Sequence, residues 1–332
     1  MKRTSRVVVI TGASAGIGRA LARVFARDGA KIGLLARGMA GLEAAKEEVE
    51  NLGGSALILP VDVANADQVE AAAGKIEEQF GPIEVWVNNA MASVISPVKH
   101  MTAAEFRRVT EVTYLGCVHG TLAALKRMLP RDSGVIVQVG SALAYRGIPL
   151  QSAYCAAKHA IEGFCDSLRT ELLHDKSNVR VTMVQLSAFN TPQFGWVKSR
   201  LPRRAQPVPP IFQPEVAAEA IYFATRQPRR EFIVGWPAFK AIYGDKIAPW
   251  YADRVLARMG YDAQQHDGPE DPERPNNLYD PVAGDHGAHG IFDARSRNWS
   301  GHWWLSKNRN WLIPAALTLI ILLILIAVAE SL

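Results

Sequence analysis

Tyr154 and Lys158 stand four residues apart in the run Tyr-Cys-Ala-Ala-Lys, with Ser141 upstream, and these three side chains can together move a proton. Residues at that spacing share one face of a helix, which brings the Lys158 ammonium beside the Tyr154 phenol. An ordinary phenol titrates near ~10, too high for efficient acid–base work at neutral pH. A neighbouring cation stabilises the phenolate and brings that value down. The Ser141 hydroxyl can hold a carbonyl or carbinol oxygen against the phenol. Isolated Tyr-x-x-x-Lys pairs are common on helix surfaces, so the chemistry depends on what the rest of the chain builds around this one.

Near the N-terminus the β-branched run 7–10 breaks into Thr11-Gly12-Ala13-Ser14-Ala15-Gly16-Ile17-Gly18. Apolar residues then recur at helical spacing through Ile17, Leu21, Val24 and Phe25. A strand, a glycine-rich turn and a helix N-terminus form a ready site for a pyrophosphate, because backbone amides point outward and the helix dipole favours an anion. The spacing is Gly-x-x-x-Gly-x-Gly. Candidate contacts to a dinucleotide are Gly12, Ser14, Gly16, Ile17 and Gly18.

These runs, with Asp62-Val63, Asn88-Asn89-Ala90, Ser141 and Tyr154-Cys155-Ala156-Ala157-Lys158, resemble the short-chain dehydrogenase/reductase family in order and spacing. The resemblance covers roughly residues 5 to 240. It implies that Ser141 binds, and Tyr154 protonates, a carbonyl oxygen. It further implies that Lys158 binds the nicotinamide ribose and lowers the phenol pKa, and that Asp62, Val63, Asn89 and Ala90 line the cofactor site. Two positions depart from the family. Thr113, in Thr113-Tyr114-Leu115-Gly116, stands where an Asn usually holds a proton-relay water; a threonine hydroxyl can still bind water, so Thr113 is the expected substitute. Ser187-Ala188 replaces the usual Pro-Gly, while Thr191 preserves the residue that meets the cofactor's carboxamide.

The cofactor preference has a physical argument. An NAD-selective site ends its second strand in a carboxylate that accepts from the ribose 2′-OH. Here the strand ends Ala36-Arg37, and a guanidinium suits a 2′-phosphate. NADP(H) is therefore the expected cofactor and carbonyl reduction the expected direction.

Strand-like runs at 7–10, 31–35, 56–60, 84–88, 135–139, 180–185 and 231–234 alternate with helical stretches at 39–52, 67–80, 103–128 and 152–174. That alternation predicts an α/β fold, a doubly wound parallel sheet of the Rossmann type, forming one catalytic domain over residues 1–260. Cys117, Cys155 and Cys165 are odd in number and suit no disulfide framework. The net charge of +5 and the pI of about 9.1 call for no nucleic-acid partner. Basic residues gather at Lys198, Arg200, Arg203 and Arg204, where the family carries a substrate lid. They can face anionic lipid, an acidic substrate or solvent.

Residues 311–329 carry no charge and are long enough to cross a hydrocarbon core, so the fold is expected to end in a transmembrane helix. Trp299, Trp303, Trp304 and Trp311 precede this run as an interfacial aromatic belt would, and Lys307 and Arg309 on that flank place the catalytic domain on the cytosolic side. Residues 261–305, rich in Pro, Gly and His, read as an irregular connection. Asp285, His286 and His289 within it are compatible with a metal, but a polar turn or a contact with the domain is the preferred reading, and no metal is expected. The apolar stretch 239–259 can cover the substrate cleft, pack on a sheet edge or touch a bilayer.

The chain is thus expected to be a membrane-anchored oxidoreductase moving a hydride between NADP(H) and a carbonyl or alcohol carbon of a small lipophilic substrate. The bilayer is an expected partner, and the family resemblance implies a homo-oligomer, dimer or tetramer. The alternative is an NADP(H)-binding membrane sensor or scaffold without turnover.

Overall fold

A computed structural model describes residues 5–312 together with 314 and 318. Seven parallel strands form one sheet: β1 (Val7–Thr11), β2 (Lys31–Ala36), β3 (Ser55–Pro60), β4 (Val85–Asn88), β5 (Val135–Val139), β6 (Arg180–Leu186) and β7 (Glu231–Val234). Their order is β7-β6-β5-β4-β1-β2-β3, and every pairing is parallel. All seven lie within a residue or so of the runs read from sequence. The strand order reverses between β1 and β4, and a crevice opens there beyond the carboxyl ends of the strands.

β1 shows how the sequence builds the two faces. Successive side chains point to opposite sides, so Val8 and Ile10 enter one buried cluster and Val7 and Val9 the other. The first cluster is covered by α1 (Gly16–Ala26), α2 (Met39–Asn51) and α7 (Pro214–Ala224). The second is covered by α3 (Ala66–Phe80), α5 (Gly116–Met128) and α6 (Ser152–His174).

The helical stretch expected across 103–128 is interrupted. α4 (Ala103–Thr110) and α5 are joined by a wide turn, Glu111–Leu115, with i→i+5 bonding, an insertion that periodicity alone does not reveal. The apolar stretch 239–259 divides into α8 (Trp236–Ile247) and α9 (Pro249–Met259). Ala238 and Ile242 bury against Ala142 and Tyr145, just after Ser141. α8 therefore walls the sheet end that carries Ser141, whereas Ile247, Trp250 and Tyr251 remain exposed.

Segment 261–305 is irregular as expected, yet it is woven into the domain rather than hanging from it. Residues Gln265–Pro269 pair antiparallel with Arg203–Ala205, and Ser296–Arg297 pairs parallel with Ile211–Phe212. Residues 301–312 are helical. Trp303, expected in an interfacial belt, is instead 4% exposed and makes edge contacts with Phe223 and Phe232. Its ring completes the core at the sheet edge, while Trp299, Trp304 and Trp311 are exposed. The transmembrane helix expected over 311–329 lies almost wholly outside the described residues. Among those described, no helix is long and apolar enough to cross a membrane.

Candidate active site

β1 delivers the glycine turn to the crevice. Gly12 and Gly16 hold φ of +66° and +57°, a region that side chains strain to enter. Gly18 lets α1 approach closely, since a Cβ there would sit 2.2 Å from the Gly12 carbonyl oxygen. Asn89 stitches the turn in place: its amide nitrogen donates to the carbonyls of Thr11 (3.0 Å) and Gly12 (3.2 Å). The backbone amides of Asn89 and Ala90 both donate to the Thr11 hydroxyl.

One groove runs along this turn. The expected contacts Gly12, Ser14, Gly16, Ile17, Arg37 and Asp62 all line it, and so do Val63, Asn89, Ala90 and Thr191. Gly18 supports the groove without lining it. The residues fit a dinucleotide in chemistry, with outward amides at a helix start, a guanidinium at the end of β2 and apolar walls at Ile17 and Val63.

Sequence reasoning missed the outer wall. Asn277, Pro281, Val282, Gly284 and His286, from the supposed connection, also line the groove. The Arg37 guanidinium, expected to face a 2′-phosphate, donates to the carbonyls of Tyr279 (2.6 Å) and Asn277. Burial and the nearby Arg108 lower its pKa. Asp62 pairs with Arg108 at 2.5 Å. No pattern in the irregular segment announces this placement; the only signal is its length and its glycines.

Ser141 follows β5, and Tyr154 and Lys158 lie in the first two turns of α6. Ser141 ends β5 through Gly140, and its hydroxyl caps the following turn by accepting from the Leu143 amide at 3.1 Å. Lys158 is 4% exposed. It donates to the Val139 carbonyl at 2.6 Å and lies 5.4 Å from the centroid of the Tyr154 ring. Burial lowers the Lys158 pKa to about 8. The Tyr154 phenol does not show the expected depression. Burial pushes its pKa above the ordinary value, and the Ser141 hydroxyl beside it offsets part of that shift.

Thr113 is 1% exposed and does not present a free hydroxyl. It donates its proton to the Ala92 carbonyl (2.9 Å) and accepts from the Ala92 amide (3.0 Å). It staples the wide turn to the loop after β4. Ser187, in the other departure, accepts from the Ala238 amide and donates to the Val234 carbonyl, tying β7 to α8.

Two cations of the basic lid cluster are engaged by one buried carboxylate. Lys198 and Arg200 both bind Glu105, at 2.8 and 2.7 Å. Burial would raise that carboxyl, but the two cations hold it at about 2. The three thiols are buried and pushed upward in pKa by that burial, which leaves them poor nucleophiles. Asp285, His286 and His289 serve separate contacts: Asp285 with Arg19, His286 with Trp196, and His289 with Glu215 and Asp293.

The short chain dehydrogenase family matches residues 6–200. The chain is 33% identical to the uncharacterized oxidoreductase YxnA of Bacillus subtilis over 287 residues, 86% of this chain and 81% of that protein. It is 36% identical to levodione reductase of Leifsonia aquatica over 192 residues, 57% of this chain and 71% of that one. The X-ray structure of an alcohol dehydrogenase from Thermococcus sibiricus, complexed with 5-hydroxy-NADP, superposes with a TM-score of 0.60 at 29% identity, covering 70% of this chain and 96% of that chain. The chain therefore belongs to the short-chain dehydrogenase family and is a dehydrogenase/reductase acting on CH–OH and C=O groups.

Proposed function

We propose that the chain is an NADP(H)-dependent carbonyl reductase in which Tyr154 is the general acid. The observation that carries this reading is the Ser141, Tyr154 and Lys158 arrangement, with the Lys158 ammonium 5.4 Å from the Tyr154 ring centroid and fixed by the Val139 carbonyl. A phenol that keeps its proton at neutral pH is the form that reduction needs; oxidation of an alcohol needs the phenolate.

The bound nicotinamide would supply the hydride that reaches the carbonyl carbon. The chain's own residues handle the oxygen. Ser141 holds it by a hydrogen bond, and Tyr154 delivers the phenolic proton to it as the new C–H bond forms. The Lys158 ammonium, fixed by the Val139 carbonyl, stabilises the phenolate left behind until solvent returns a proton. Gly12, Gly16, Ile17 and the Asn89–Ala90 backbone would hold the dinucleotide. Arg37 would take its 2′-phosphate through charge-assisted bonds, which supports NADP(H) over NAD(H). The Thermococcus relative, solved with an NADP analogue, points the same way.

Residues 1–260, with segment 261–305 woven into them, would form the catalytic domain and 311–329 a membrane anchor, the domain facing the cytosol. The exposed Trp299, Trp304 and Trp311 beside that run support an interfacial position. A lipophilic ketone or aldehyde is the fitting substrate class, and assembly into a dimer or tetramer accompanies this reading. The test is turnover of a panel of carbonyl compounds with NADPH and NADH. NADPH binding without turnover on any of them would instead favour a cofactor-dependent sensor.

A further inference from the structure

Two donors on the floor of the groove are already engaged by the segment that roofs it. The Gly16 amide, at the start of α1, donates to the Gly287 carbonyl at 3.0 Å. The Arg37 guanidinium donates to the carbonyls of Asn277 and Tyr279, and Arg108 donates to that of Leu278 at 3.0 Å. Asp285 reaches under the turn to the buried Arg19 at 3.2 Å. Backbone oxygens of residues 277–287 thus stand where the anionic oxygens of a dinucleotide would be received.

The attachment is narrow. Leu278 and Ala288 are 0% and 2% exposed, whereas residues 279–281 and 283–286 between them are exposed. Gly284 and Gly287 carry φ of +95° and +62°. A stretch that buries only these two side chains, and is otherwise held by hydrogen bonds and ion pairs along exposed, irregular backbone, opens more readily than the sheet and helices beneath it. The space remaining beneath it is about 210 Å³, below the ~300–1,000 Å³ of ordinary small-molecule sites, and a dinucleotide is a large ligand. A phosphate is also a stronger partner for a guanidinium than a neutral carbonyl is, because the opposite charges attract and the geometry can be bidentate.

We propose that residues 277–290 are a displaceable strap over the dinucleotide groove, whose carbonyls hold Arg37 and the Gly16 amide until a nucleotide's anionic oxygens take those donors. The strap sets the apparent affinity, because a site competent in only a fraction of molecules binds more weakly by that fraction. It also favours a 2′-phosphate, the one ligand group able to replace the carbonyls on Arg37. The proposal rests on the dinucleotide reading of the groove.

The test uses the full chain in detergent, with NADPH and NADH as probes. Leu278→Ala removes one buried anchor, and Asp285→Asn weakens the ion pair at the other end without disturbing the core. Each variant is expected to bind NADPH about tenfold more tightly than the natural chain. In the natural chain, saturating NADPH is expected to raise hydrogen exchange across 279–287 while protecting 12–18. Unchanged or weaker binding by both variants would overturn the proposal, as would protection of 279–287 by NADPH. If NADH alone binds and opens the segment, the strap stands and the 2′-phosphate reading of Arg37 falls.

Discussion

The Lys158 ammonium lies 5.4 Å from the centroid of the Tyr154 ring and is tethered to the Val139 carbonyl at 2.6 Å. Position and burial make Lys158 a functional group held at a thermodynamic disadvantage. Its pKa falls from 10.5 to about 8 because burial disfavours the charge. The unfolded chain therefore binds more protons between about pH 8 and pH 10, and stability rises with pH across that window. At neutral pH the burden is about 3 kcal/mol.

Lys158→Met should accordingly melt as high as the natural chain at pH 7, or higher, while losing carbonyl reduction. Thermal melts from pH 7 to pH 10 check this. The advantage of the variant should shrink as pH rises past 8, the signature of a stability–activity trade-off. A variant that melts lower at every pH would show that the buried charge is not the cost assigned to it.

Tyr154→Phe should leave nucleotide binding within about twofold and lower turnover by roughly two to four orders of magnitude, the range of general acid catalysis. Single-turnover reduction and fluorescence titration separate the two effects. Turnover near that of the natural chain would remove Tyr154 from the reaction.

The scaffold was more legible in the sequence than the roof of its site. β1 to β7 announce themselves because buried parallel strands are short apolar runs, and the turn at Gly12 and Gly16 because positive φ demands glycine. The contacts of Thr113 are hidden for a local reason: nothing nearby in sequence shows that Ala92, 21 residues away, both donates to its hydroxyl and accepts from it. Trp303 was misread because a tryptophan beside an apolar run looks alike whether it meets lipid or the rings of Phe223 and Phe232. The Arg37 contacts lie 240 to 242 residues distant, and carbonyl acceptors leave no trace in side-chain identity.

Ala36→Asp combined with Arg37→Leu should shift preference toward NADH, by adding an acceptor for the 2′-OH and removing the phosphate partner. The ratio of NADPH to NADH dissociation constants is the readout, and a fall of about tenfold or more is expected, about 1.4 kcal/mol. The Asn277 and Tyr279 carbonyls also lose their donor, so 277–279 should exchange amide hydrogens faster in the same variant. A natural chain that already prefers NADH would contradict the role given to Arg37.

His289 ties the strap to α7 through Glu215 and to Asp293, both at 2.9 Å. Burial alone would lower its pKa, but the two carboxylates win and raise it above the ordinary 6.5. The charged form therefore holds the strap most firmly below about pH 6.5, and the contribution fades as pH rises through the raised value. Limited proteolysis of 279–290 should quicken from pH 6 to pH 8 in the natural chain. In His289→Gln it should be fast at both, and an unchanged pH response in that variant would place the titration elsewhere.

Ending the chain after Leu312 tests the anchor without cutting into the domain. Arg229 donates to the Ser306 carbonyl at 2.9 Å and to Asn310 at 3.1 Å, and Trp303 fills the core beside Phe223 and Phe232. A cut before Asn308 would remove part of that support and confuse release with unfolding. A cut after Leu312 keeps it and deletes nearly all of the uncharged run. The shortened protein should move to the soluble fraction, bind nucleotide normally and reduce water-soluble test carbonyls, whereas a membrane-resident substrate should react more slowly through loss of local concentration. Retention on membranes after a high-salt wash would direct attention to the exposed Ile247, Trp250 and Tyr251 of α8 and α9, which would then be a second attachment surface. With the full-length chain, protease added from the cytosolic side should digest the catalytic domain. Protection there would show that Lys307 and Arg309 do not set the orientation that the positive-inside rule assigns.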